Sequence, residues 1–123
     1  MKIYVSHSRN FDYLNELYKP LKEAGLPVEF IFPHEDGSES FDAKDLFQNH
    51  KVDYVLAEVS QPATGQGIEL GWADIFGVPI ICFYKSGTKP ARSLMGITGR
   101  IIEYGDSTDL INKLVVELGL NIA

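Results

Sequence analysis

Short apolar, β-rich runs alternate with stretches of helical periodicity along the whole chain. Lys2 to Ser6 reads as a strand. From Asn10 to Ala24, Phe11, Leu14, Leu17, Tyr18 and Leu21 fall at helical spacing, and Gly25 closes the element. Pro20 lies inside that pattern and predicts a kink or a shortened helix. Val28 to Phe32 predicts a second strand, followed by a polar loop from Pro33 to Ser38 and a short helix from Phe41 to His50. A third strand, Asp53 to Val59, runs into Ser60-Gln61-Pro62-Ala63-Thr64-Gly65-Gln66-Gly67, and a helix is expected from Gly67 to Phe76. Pro79 to Tyr84 reads as strand four. Lys85 to Gly99 is basic and rich in small residues, with one helical turn around Ser93 to Met95. Arg100 to Tyr104 predicts a fifth strand, and Asp106 to Leu118 a closing amphipathic helix that Ser107 or Thr108 can cap.

Five such alternations predict the α/β class: a flavodoxin-like, three-layer domain with a five-stranded parallel sheet of order 2-1-3-4-5, its strands almost continuously apolar because both faces are covered. A length of 123 residues fits one domain, 1–123. In such sheets a ligand binds beyond the carboxyl ends of the strands where the order reverses, here between strands one and three. That rule selects two loops, Ser6 to Asn10 and Ser60 to Gly67.

Charge narrows the partners. Seventeen acidic against eleven basic side chains leave a formal charge of -6, which repels polymeric nucleic acid and an anionic membrane surface alike. A small anion remains acceptable, because backbone N–H groups and one Arg make a local positive pocket. The single cysteine, Cys82, lies in an apolar run and reads as a buried small hydrophobe. The N-terminal residues lack a signal-peptide pattern, and no apolar run approaches the ~20 residues of a membrane span, so a soluble, cytoplasmic protein is expected. His7, in the first loop and within reach of a ligand, His34 and His50 show no metal-ligand spacing, and no metal or cofactor is expected. No Gly-x-Ser-x-Gly elbow, dinucleotide fingerprint or phosphate loop occurs.

The two loops hold the candidate chemistry. Gly65 and Gly67, at a helix entrance, let a ligand approach backbone N–H groups, although the same glycines fit a plain tight turn needing positive φ. Glu69 falls in the expected first turn, where an acid also simply complements the helix dipole. Glu58 and Asp53 on the adjoining strand, Asp45 on the preceding helix and Tyr4 on strand one give it company. Carboxylates around one crevice can be pushed to different pKa values and divide nucleophile and acid work. Taken alone, Asp45 reads as a solvated helix charge, and Glu58 as a buried, hydrogen-bonded carboxylate that shapes the loop.

The block Ala57-Glu58-Val59-Ser60-Gln61-Pro62, continuing as Gly65-Gln66-Gly67-Ile68-Glu69-Leu70-Gly71, resembles the nucleoside 2-deoxyribosyltransferase family, and most the branch of 2'-deoxynucleoside 5'-phosphate N-hydrolases. The resemblance implies that Glu69 is the nucleophile on the anomeric carbon of the sugar. Asp45, in an Asp-Leu pair eight residues before Asp53, would help protonate or bind the departing base, and Tyr4 would orient nucleophile and sugar. Ser6, Ser60, Thr64, Gly65 and Gly67 line the implied substrate site. Ser8 and Arg9 resemble the residues that hold the 5'-phosphate, and Ser93, in Ser93-Leu94-Met95, resembles a serine that reaches the neighbouring subunit's phosphate. Ala63 departs from the pattern, standing where the hydrolases have Ser and the transferases Asp; Thr64 beside it offers a substitute hydroxyl. The tail from Leu118 to Ala123 has no match to the one by which transferases complete a neighbour's site, which favours hydrolysis.

The function implied is hydrolysis of the base–sugar bond of (deoxy)nucleoside 5'-monophosphates through a glycosyl-Glu69 intermediate, without a metal. The expected partner is a small nucleotide or nucleoside, and the expected assembly a homodimer or larger homo-oligomer. Base exchange between 2'-deoxynucleosides, and nucleotide binding without turnover, are the alternatives.

Overall fold

The computed structural model describes residues 1–35 and 42–121. The end of the polar loop expected after strand two, the expected helix start at Phe41 and the last two residues lie outside that range. Five strands, β1 (Lys2–His7), β2 (Glu29–Ile31), β3 (Tyr54–Glu58), β4 (Ile80–Lys85) and β5 (Ile101–Tyr104), form one parallel sheet in the order β2-β1-β3-β4-β5. The α/β class, the all-parallel sheet and the strand order are those the hydrophobic pattern predicts.

Alternation along the strands sorts the side chains onto two cores. Ile3, Val5, Leu56, Ile81 and Phe83 face a helical layer made of a π-helical turn (Leu14–Tyr18), α1 (Lys19–Glu23) and α4 (Ser107–Glu117), which contributes Leu17, Leu21, Leu110 and Leu114. Tyr4, Val55, Ala57, Ile80 and Cys82 face the other layer, α2 (Ala43–Gln48) and α3 (Thr64–Ile75), where Phe47 and Leu70 complete the core. Cys82 is fully buried, as its apolar run implies. A 3-10 turn, Arg92–Gly96, follows β4 where one helical turn is expected.

Several helix ends differ from the pattern. The first helix begins near Tyr13 rather than Asn10, and Pro20 acts ahead of itself. Lacking an N–H, Pro20 cannot close the regular ladder, so the preceding turn widens and the Lys19 N–H reaches Leu14 instead. Leu14 is half exposed, while Leu17, Tyr18 and Leu21 are buried. Gly25 ends the element with φ at 64°. The cap of α4 is Asp106, whose carboxylate accepts the Asp109 N–H at 2.8 Å; neither Ser107 nor Thr108 takes that place. The most consequential shift is at α3, which starts at Thr64, three residues before the expected Gly67.

Candidate active site

The early start of α3 revises how its glycines work. Gly65 and Gly67 are helical, neither has positive φ, and a Cβ built on either meets nothing within 4 Å. They serve neither a strained turn nor tight protein packing, and both are exposed at the carboxyl edge of the sheet, where a ligand binds in this fold. Ala63 precedes the helix and supplies no side-chain cap, leaving the first-turn amides open to an anion. Glu69, by the same shift, sits in the second turn, not the first.

Glu69 leans from α3 toward β1. Ser6 Oγ donates to its Oε2 at 3.1 Å, and the Tyr4 hydroxyl lies close enough to the same carboxylate to favour its charged form. Tyr4 and Ser6 are almost wholly buried, and Tyr4 packs edge-on against Phe47 of α2 at 5.2 Å between ring centres. Burial pushes the Glu69 carboxyl above the ordinary range, while the Ser6 and Tyr4 hydroxyls pull it back down. The Tyr4 phenol is itself raised, first by burial and then by the neighbouring Glu69 charge, so it stays protonated and remains a donor. A partly desolvated carboxylate aimed by two hydroxyls is an arrangement suited to nucleophilic attack.

The expected gathering of carboxylates does not occur. Asp53 lies at the opposite, amino-terminal edge of the sheet, where it accepts the Lys2 N–H at 2.7 Å. Glu58 points to the other face of the sheet. There it accepts from the Ser60 N–H at 2.7 Å, from Ser60 Oγ at 2.8 Å and from the Tyr104 hydroxyl. Its shaping of the loop is thus direct. Ser60 Oγ in turn accepts the Lys85 N–H at 2.8 Å, fastening β3 to β4. Asp45 is on α2 beside Glu69's layer, but its carboxylate bonds Asn49 at 2.6 Å and Lys51 at 2.9 Å. The Lys51 ammonium holds the Asp45 carboxyl below the ordinary range.

Ser8, Arg9 and Asn10 form the turn after β1. Ser8 is buried, with its Oγ accepting the Asn10 N–H at 3.0 Å, and Arg9 is exposed. His7 is the last residue of β1 and buried, not a loop residue. Ser93, on the 3-10 turn, shares a cleft of about 370 Å³ with Ala63, Thr64 and Gly67. Glu69 is not part of its lining: it leaves α3 on the β1 side, whereas this cleft opens on the β4 side. Two residues escaped the motif-based reading. Buried Gln66 donates from Nε2 to the Glu58 carbonyl at 2.8 Å, tying α3 to the end of β3. Tyr18 meets the His7 ring across the other face. Counting strand alternation from Tyr4 and Val55 is the signal that would have placed His7 and Glu58 on that face.

Among the described residues no cluster of three metal-ligating side chains occurs, and no helix is long and apolar enough to cross a membrane.

Comparison with known proteins gives this geometry its context. No protein-family model matches the chain. A Syntrophotalea carbinolica protein whose assigned name is 2'-deoxynucleoside 5'-phosphate N-hydrolase 1 is 33% identical over 78 residues, covering 54% of this chain and 55% of that protein. The 5-hydroxymethyl-dUMP N-hydrolase of Mus musculus is 41% identical over 59 residues, covering 48% of this chain and 34% of the mouse protein. The matches therefore span about half of the bacterial relative and about a third of the mouse one. In three dimensions the chain superposes on a Clostridium botulinum CMP N-glycosidase, BcmB, with a TM-score of 0.63 at 21% identity, over 93% of this chain and 98% of the other; this likeness is one of fold. Over about half of its length the chain is thus similar in sequence to proteins named as nucleotide N-hydrolases, and over nearly all of it similar in fold to a nucleotide N-glycosidase.

Proposed function

We propose that the protein hydrolyses the N-glycosidic bond of (deoxy)nucleoside 5'-monophosphates, with Glu69 as nucleophile. The observation that carries this is the buried pair of hydroxyls, Tyr4 and Ser6, converging on one carboxylate at the sheet's switch point. The Glu69 carboxylate attacks C1' as the base leaves with the bonding electron pair, giving a glycosyl ester through an oxocarbenium-like transition state. Water then attacks C1', breaking its bond to the Glu69 oxygen and giving up a proton to solvent, and the sugar phosphate and the free carboxylate are released. Ser6 and Tyr4 hold the attacking oxygens, and Ser60 acts through Glu58 on the shape of the loop. The amides at Thr64, Gly65 and Gly67, with Ser8 and Arg9, receive the 5'-phosphate. Asp45, paired with Lys51 and held in its ionised form, is a poor proton donor at neutral pH, so its part is to accept a hydrogen bond from the base while the leaving nitrogen takes its proton from solvent.

A homo-oligomer belongs to this reading. Ile68 and Ile75 stand half or more exposed two turns apart on α3, and Met95 is exposed two residues after Ser93. These apolar positions suit a second copy of the chain, which would bring Ser93 to its neighbour's phosphate. The whole chain, 1–123, acts as one catalytic unit in this reading, in a soluble cytoplasmic setting.

The test is chromatographic detection of free base from nucleoside 5'-monophosphates. Wild-type protein is expected to release base and Glu69→Gln to lose at least about 10³-fold of that rate, the scale of losing a nucleophile. Unchanged release by Glu69→Gln refutes the assignment.

A further inference from the structure

On the face of the sheet opposite Glu69, the end of β1 carries a buried imidazole that the proposed chemistry does not use. His7 Nδ1 lies 2.7 Å from the Ser8 carbonyl oxygen, which can only accept, so Nδ1 carries the proton. His7 Nε2 is 2.5 Å from the Tyr18 hydroxyl, and that hydroxyl also receives the His34 backbone N–H at 3.2 Å. The pattern closes in one direction: His34 N–H donates to Tyr18, Tyr18 O–H donates to His7 Nε2, and His7 Nδ1–H donates to the Ser8 carbonyl. Tyr13 stacks on the ring at 4.4 Å, and Phe11, Tyr18 and His34 meet it edge-on. The imidazole therefore has one place and one tautomer. It ties three segments, the turn after β1, the π-helical turn and the turn after β2, at the residue where the chain leaves the sheet.

We propose that His7 is the positioning residue for the anion-receiving turn Ser8-Arg9-Asn10, fixing it through the Ser8 carbonyl with Tyr18 as its brace. The inference rests on the reading of that turn as the 5'-phosphate subsite. Fixing the Ser8 peptide fixes the direction of its hydroxyl, which accepts from Asn10 and keeps its own proton to donate to a phosphate oxygen. It also fixes the root of Arg9. Burial and the charges of His34 and Arg9 push His7 down to about 4, so the ring beside Arg9 is neutral and does not compete for the anion.

Three variants separate positioning from bulk. Tyr18→Phe removes only the hydroxyl that braces Nε2. His7→Phe keeps the aromatic packing and removes both ring hydrogen bonds. His7→Asn restores an N–H where Nδ1 stood. With a nucleoside 5'-monophosphate, KM is expected to rise about tenfold in Tyr18→Phe and His7→Phe, with kcat within about threefold of wild type, and His7→Asn to recover most of the loss. Equal KM in all four proteins, or a fall confined to kcat, overturns the inference.

Two measurements need no turnover. Long-range ¹H–¹⁵N spectra of the wild type at pH 7 are expected to show the Nδ1–H tautomer for His7; the Nε2–H form or a cation overturns the inference. Titration with inorganic phosphate is expected to shift the amides of Ser8, Arg9 and Asn10 in the wild type and in His7→Asn, and to do so weakly in His7→Phe. A wild-type turn indifferent to phosphate overturns the inference together with the subsite. If these signals appear while no nucleotide yields free base, the proposed reaction fails and the positioning role stands.

Discussion

Glu69 carries two opposed demands. In its proposed role as nucleophile it must be ionised, while burial favours the neutral acid; the hydroxyls of Ser6 and Tyr4 offset part of that penalty. Its carboxyl is therefore raised in the folded protein relative to the unfolded chain, so the stability it contributes is present at acid pH and is lost as pH rises through the raised value. Glu69→Gln is accordingly expected to unfold at higher urea than wild type at pH 7 and at nearly the same urea at pH 4. Equal midpoints at pH 7 would remove the case for a desolvated carboxylate. The same balance fixes the acid limb of the pH–rate profile. With Tyr4→Phe a hydroxyl that favours the charged form disappears, and the apparent pKa of the acid limb in kcat/KM is expected to move up, away from the ordinary carboxylate range. A downward move would mean that Tyr4 holds the acid form instead. Glu69 was legible because its motif gives residue type and spacing together. The partners of Glu58 and His7 were not, because which face a strand residue takes depends on register across the sheet. His7 and Glu58 are direct cross-strand neighbours in β1 and β3, yet nothing local in either segment says so.

At the scale of elements, strands were readable to within a residue or two because parallel strands buried on both faces must be apolar throughout. Helix ends were less readable. Thr64-Gly65-Gln66-Gly67 has poor helix propensity and reads as loop, but Gln66 bonds the Glu58 carbonyl and Leu70 and Ala73 bury against the sheet, so tertiary contacts pull the helix start forward. This has a direct consequence for Gly65. At a turn position with positive φ, Gly65→Ala would destabilise. In a helix with open space at the Cβ position, it is expected to stabilise by about 0.5 to 1 kcal/mol in urea unfolding. The added methyl faces the ligand side, so KM for the nucleotide is expected to rise in the same variant. Ala63 makes the complementary case. Placing a cap before α3 with Ala63→Ser is expected to add about 1 kcal/mol, since a serine Oγ would accept an amide that Ala63 leaves open. Destabilisation by both changes would mean that α3 starts later in solution, as the local composition suggests.

For the whole molecule, the net charge of -6 shapes the question of what would complete the proposed phosphate site. An acidic chain must gather its anion-binding groups locally, and those assigned to the phosphate in the proposed reaction are few: the first-turn amides of α3, Ser8 and Arg9. Ser93 shares a cleft with Thr64 and Gly67 whose lining does not include Glu69, so within one chain the serine adjoins the start of α3 but stands apart from the proposed nucleophile, which turns toward Ser6 of β1. A two-fold arrangement of copies about α3 would bring one copy's Ser93 toward the other's phosphate, and in an isologous contact each copy does so for its partner. The consequence is complementation. Glu69→Ala is expected to be inactive and Ser93→Ala to be weak at low substrate. After unfolding and refolding together in equal amounts, half of the dimers are mixed, and each mixed dimer has one site that combines an intact Glu69 with an intact Ser93. Activity at low substrate should then reach about a quarter of wild type, above the mean of the two separate preparations. A mixture that gives only that mean would show each site built within one chain, and Ser93 would then act, if at all, across its own cleft.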